Sequence, residues 1–126
     1  MLIEEYLVNI EKIINLCPFV YTYQIVKDKR SLYVAFIEGK ITFIDNSFLH
    51  FMEFIDCSGT IKKYKYSYHY QGEDKKLIFR YDNAPHFREI STFPHHKHQG
   101  KHETIASKEP SLENILFEIE KMILNT

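Results

Sequence analysis

Over the first sixteen residues, apolar positions recur every three or four places. Leu2, Ile3, Tyr6, Leu7, Ile10, Ile13 and Ile14 would line one face of an amphipathic helix ending near Leu16, before Pro18. From Phe19 to Tyr81 the period shortens. β-Branched and aromatic residues dominate, interrupted by KDKR, EGK, DNS, CSGT and QGEDKK. This predicts about six short strands, at 19–27, 31–37, 40–45, 48–56, 61–71 and 76–82, joined by tight turns in an antiparallel meander. The tail returns to helical spacing. Leu112, Ile115, Leu116, Ile119, Met122 and Ile123 form a stripe, with Ser111 as N-cap and Asn114 three residues on. The expected fold class is α+β, a single domain over residues 1–126. One curved antiparallel β-sheet carries the N- and C-terminal helices on one face.

Composition narrows the picture. The chain has 126 residues, a common size for one domain, and 44% are hydrophobic, which excludes a disordered chain. A formal net charge of −1 means that affinity for a polyanion must come from local patches. Cys17 and Cys57 lack CxxC spacing and read as buried free thiols rather than a disulfide. The acidic N-terminus has no basic n-region, and no apolar run approaches the ~18 residues of a membrane span. The expectation is a cytoplasmic protein with no membrane partner.

The last predicted hairpin sorts its side chains onto two faces. With a two-residue turn at Glu73-Asp74, Gly72 pairs with Lys75, His69 with Ile78, Ser67 with Arg80, and Lys65 with Asp82. One face collects Tyr64, Tyr66, Tyr68, Tyr70, Leu77, Phe79 and Tyr81. The other carries Lys65, Ser67, His69, Arg80 and Asp82. The plain reading is a solvated sheet face with a register-fixing Arg80–Asp82 pair. The segment downstream of this hairpin favours function. Asp82-Asn83-Ala84-Pro85-His86 is turn chemistry, and it opens some twenty residues expected to lack regular structure. Four of the seven histidines fall there, at His86, His95, His96 and His98, with Phe87, Ile90 and Phe93 as anchors to the sheet.

Two chemistries fit these residue types. A zinc site could use two of His95, His96 and His98 with His86 or Asp82. Against it stand the missing HExxH or CxxC spacing and the ammonium of Lys97 among the imidazoles. In an extended segment His95 and His96 would diverge, while His96 and His98 could share a side. The expectation is therefore no resident cofactor, with a divalent metal through the His-rich segment as the alternative. Metal-free cleavage of RNA by 2′-OH attack needs a base, an acid and cations around the phosphate. His69, His86, His95, His96 and His98 are candidates for proton transfer. Arg80 and Lys97 are candidate phosphate clamps, and Asp82 would orient a His or hold Arg80. Lys65, Ser67, Tyr81 and Asn83 are candidate substrate contacts, with Tyr and Phe available for base stacking.

The runs YHYQ (68–71), LIFRYDNAPH (77–86), TFPHHKH (92–98) and EPSLENIL (109–116) resemble, in order and spacing, the TumE-type toxins of prokaryotic toxin–antitoxin modules. The likeness covers about the C-terminal half of the chain. It implies that the signature residues here are His69, Arg80, Asp82, His86, His95, His96, Lys97 and His98. The sequence departs from the pattern at HFREIS, where Phe87 follows His86 and family members often carry another His or a polar residue. The resemblance implies growth inhibition and a cognate antitoxin protein as partner. RNA cleavage is an expectation from residue chemistry and analogy with other small toxins. A homodimer is compatible with the sequence. The contrasting expectation is a non-enzymatic binding module using the His-rich loop for a metal, nucleic acid or protein. A nucleotidyltransferase is disfavoured, because its Gly-Ser and acidic-triad pattern is absent.

Overall fold

The N-terminal stripe forms helix α1 (Ile3–Asn15), which buries Ile3, Leu7, Ile10 and Ile14. The computed structural model describes residues 1–100 and 103–125. After α1 come strands β1 (Val20–Lys29), β2 (Val34–Phe43), β3 (Phe48–Asp56), β4 (Lys62–Gln71), β5 (Leu77–Asp82), β6 (His96–Gln99) and β7 (Glu103–Ala106). Helix α2 (Leu112–Leu124) completes the fold. The strands form one sheet in sequence order, each antiparallel to the next. Both helices bury their stripes in the core shared with Ile37, Ile41, Phe43, Leu49, Phe51, Tyr66, Tyr68, Tyr70 and Phe79. The expected α+β fold, with two helices on one face of an antiparallel meander, is what the chain adopts. Ser111 caps α2 as expected: its hydroxyl accepts from Asn114 N at 3.0 Å, and Asn114 Oδ1 accepts from Ser111 N at 3.2 Å. Of the cysteines, Cys57 is buried and Cys17 only half-buried; both are free.

The structure corrects the strand reading in three places. Residues 34–43 make one strand, not two: the EGK segment is not a turn. Ala35, Ile37, Ile41 and Phe43 alternate inward straight through it, while Glu38 and Lys40 share the outer face. Gly39 is required by packing, since a Cβ there would lie 2.1 Å from the Phe51 ring. The β4–β5 turn is one residue longer than expected. Gly72 N donates to Lys76 O at 3.0 Å, and Lys75 sits in the left-handed region at φ 67°. A register shift between Tyr70 and Gln71 adds a second residue. The two displacements together equal one strand period. Ser67 therefore faces Asp82 and His69 faces Arg80, in place of the expected partners, yet each keeps its side of the sheet. Tyr64 departs from the aromatic face: it lies at the β3–β4 irregularity and is exposed.

The third correction is the segment after Asp82. Its irregular part ends at His95, and His96–Gln99 and Glu103–Ala106 extend the sheet. Four-residue strands made of HKHQ and ETIA carry little apolar alternation, because β6 spends its outer positions on imidazoles.

A buried polar network ties the core to both helices. Glu53 is 0% exposed and accepts from Tyr6 Oη at 2.5 Å and from Tyr68 Oη. Lys63 Nζ lies 3.4 Å from Glu53 Oε2 and donates to Tyr68 Oη at 2.6 Å and Pro110 O at 2.8 Å. Burial, reinforced by Glu53, pushes the Tyr6 and Tyr68 phenols far above their ordinary range, so both stay protonated as donors.

Candidate active site on the open sheet face

Antiparallel register brings polar side chains from six strands into line on the face without helices. One row runs Lys40, His50, His69, Arg80, His98 and Thr104. The neighbouring row runs Glu38, Met52, Ser67, Asp82, His96 and Ala106. Residues two apart on a strand share a face, so both rows look outward. Arg80 and Asp82 thus meet His96 and His98 across one strand boundary and His69 and Ser67 across the other.

Asp82 is the hub. It is buried on this face, and Arg80 Nε donates to its Oδ2 at 3.0 Å. The Ala84 backbone N–H donates to its Oδ1 at 3.0 Å. His96 Nε2 lies 2.9 Å from Oδ1, and His98 Nε2 lies 3.6 Å from Oδ2. His96 is 2% exposed, and its Nδ1 lies 2.9 Å from the carbonyl of Pro94. A carbonyl only accepts, so Nδ1 carries a proton and Nε2 is the atom turned to Asp82. His98 meets Thr104 Oγ1 through Nδ1 at 3.1 Å. Burial pushes the His98 imidazole below its ordinary value, against the pull of Asp82.

Arg80 also reaches the other way, its Nη1 lying 3.3 Å from His69 Nδ1. Guanidinium only donates, so His69 Nδ1 offers a lone pair and the ring is neutral in this contact. Burial first, then the Arg80 charge, lowers the His69 pKa. Beyond His69 in the row, His50 Nε2 lies 3.5 Å from Glu38 Oε1 without forming a hydrogen bond to it.

Phe87 covers the paired imidazoles, with ring centroids 5.0 Å from His96 and 5.6 Å from His98. Its φ of 57° is unusual for a bulky residue. A groove of about 390 Å³ opens beside it, lined by Arg80, His98, Thr104, Leu77 and Glu103 among others.

Other expected site residues lie elsewhere. Lys97 alternates to the helix side. There its ammonium pairs with Glu118 at 2.9 Å and lies 4.9 Å from the Tyr81 ring centroid. Burial opposes its charge, but hydrogen bonds to Tyr81 and Glu118 prevail and raise its pKa. Tyr81 is on that side too, donating to Glu118 Oε1 at 2.6 Å. His95 stacks on Tyr66, with Nδ1 2.9 Å from its hydroxyl. Asn83 prolongs the β4–β5 pairing, its side chain bonding Tyr66 N at 3.0 Å and Tyr64 O at 3.1 Å. Lys65 is exposed and pairs with Phe54, two residues from its expected place opposite Asp82. His86 is exposed in the loop, next to the Phe87 ring. The sequence pattern did not single out His50 or Thr104, which only the strand register aligns with Arg80. Phe87 was expected as an anchor to the sheet, and here the anchor rests on the imidazoles.

Comparison with known protein families bears on the whole of this arrangement. The family model described as Toxin TumE matches residues 10–123, which span the end of α1, all of β1–β7 and nearly all of α2. The chain belongs to the TumE toxin family. No curated protein and no solved structure matches it. Membership in a toxin family implies a cognate antitoxin for this TumE-family protein. Among its described residues, no helix is long and apolar enough to cross a membrane.

Proposed function

We propose that this TumE-family chain is the growth-inhibiting toxin of a toxin–antitoxin module and acts by cleaving RNA on the open sheet face. The observation that carries this reading is the row Lys40, His50, His69, Arg80 and His98, basic side chains from adjacent strands crossing the site. Strands lie about 4.8 Å apart, so such a row tracks a phosphodiester backbone across the sheet. Arg80 is the phosphate clamp. Asp82 holds it through Nε, leaving other N–H groups for phosphate oxygens.

Two imidazoles flank the guanidinium from opposite strands, His69 on β4 and His98 on β6. One takes the 2′-OH proton and the other supplies a proton to the departing 5′-oxygen, with Arg80 between them stabilising the charge on phosphorus. Asp82 and His96 form the support beneath, and Phe87, more than a third exposed, offers a surface for a base. His86 stands at the rim. Lys97, His95, Tyr81 and Asn83 serve the fold rather than the substrate in this scheme. That Arg80 and Asp82 face the histidines, instead of pointing away from them, favours an enzyme over a simple binding surface.

Expression of the wild-type chain without its antitoxin should arrest growth, and Arg80→Ala should relieve the arrest while the purified variant stays folded. Losing one transition-state contact costs about 10²–10³ in rate, whereas trimming a partly exposed side chain perturbs folding far less. Buried His96 is a poorer test, because its removal threatens the fold. Undiminished toxicity of Arg80→Ala would remove the basis for this site.

A further inference from the structure

We propose that Asp82, His96 and His98 form a binding site for one divalent transition-metal ion of the zinc class, and that its occupancy blocks RNA cleavage. The ligand atoms of the three side chains lie within 4.8 Å of one another. The 2.9 Å between His96 Nε2 and Asp82 Oδ1 would subtend about 90° at an ion ~2.1 Å from each. Two imidazoles and a carboxylate suit zinc and its neighbours better than magnesium or calcium.

The surroundings favour a ligand role. Pro94 O fixes His96 with Nε2 inward, and Thr104 Oγ1 contacts the outer nitrogen of His98. Carbonyl and hydroxyl partners of this kind orient metal-bound histidines. Phe87 covers both rings. The two objections raised by the sequence do not hold in the fold. Lys97 points to the other face of the sheet, away from His96 and His98. The missing spacing motif is replaced by register, which sets Asp82 of β5 opposite His96 of β6. The opposing charge is Arg80, whose Nε shares Oδ2 of the same carboxylate.

Inhibition would arise by competition and rests on the ribonuclease reading above. A metal on His98 Nε2 takes the lone pair that would otherwise accept a proton, and a metal on Asp82 loosens the hold on Arg80. Binding itself does not depend on that reading.

The test is calorimetric titration of zinc chloride into the full chain, stripped with EDTA and then freed of chelator. Saturable binding of one ion per chain is expected. His98→Ala and Asp82→Asn, checked by circular dichroism for retained fold, should weaken it by at least about 10-fold. Arg80→Gln should tighten it. Absence of saturable binding, or binding indifferent to His98→Ala, would overturn the site. Zinc should suppress RNA cleavage in parallel with its binding curve, and stimulation by zinc would overturn the inhibitory role. If the chain cleaves no RNA with or without zinc, the ribonuclease reading and the inhibitory role fall together, and calorimetry alone decides the site.

Discussion

Arg80 links a carboxylate to an imidazole. Its guanidinium donates on one edge to a carboxylate and on another to an imidazole, which must stay neutral to accept. His69 therefore enters the fold with a lowered pKa, by burial and by Arg80, with His50 on β3 acting the same way and a Gln71 hydrogen bond opposing. Unfolded, the ring titrates near its ordinary value of about 6.5. Below that pH the unfolded chain binds a proton that the folded chain resists. This contribution is thus fully present above about 6.5 and is lost as pH falls through the lower folded value. Thermal melts at a series of pH values should show stability falling on acidification from about 7 to 5. His69→Gln should flatten that slope, though not abolish it, because His98 is shifted in the same direction. An unchanged slope in the variant would contradict the pairing.

Elements are where the sequence pattern was most and least informative. Helical periodicity at both ends, and the strand at 48–56, carry their boundaries in the spacing of apolar residues, because one face of each is buried. The Glu38-Gly39-Lys40 segment misleads, since Gly flanked by charges is ordinary turn chemistry. Here Gly39 answers a tertiary demand, the ring of Phe51 crossing above it, that no local pattern encodes. Gly39→Ala should lower stability by about 1–3 kcal/mol, read from the urea midpoint, since Phe51 is buried against Tyr68 and has little room to move. A midpoint equal to wild type would show that β2 and β3 separate more easily than this contact implies. The β4–β5 hairpin is a different case. Turn length and bulge were both hidden, but their displacements restored parity, so the face shared by His69, Arg80 and Asp82 was readable before its pairings were. The short strands β6 and β7 were not readable. The outer positions of β6 are imidazoles, and it is β5, already in place, that gives β6 a partner, as β6 does for β7.

At the scale of the whole molecule, the sheet separates two polar systems. The open face holds the Arg80–Asp82–histidine cluster, while the helix side buries Glu53 with Tyr6, Tyr68 and Lys63. That second system joins α1, β3, β4 and the chain entering α2, and nothing in the alternation of β3 announced an acid at a core position. Lys63→Met would leave Glu53 buried without its cation and should cost about 3–5 kcal/mol in chemical denaturation. A loss below about 1 kcal/mol would mean that the two phenols satisfy the carboxylate unaided.

The site was visible in the sequence as a set of residue types, because imidazoles, a guanidinium and a carboxylate lay close along the chain. Which of them meet depended on strand direction: Lys97 and His95 alternate away from His96, and Asp82 reaches it across the β5–β6 pairing. Whether that cluster cleaves RNA is tested most directly by incubating the purified chain with RNA in EDTA, beside Arg80→Ala. The expected result is cleavage by wild type without added metal, reduced about 10²–10³-fold in a folded Arg80→Ala. No cleavage by wild type, or equal cleavage by the variant, would contradict it.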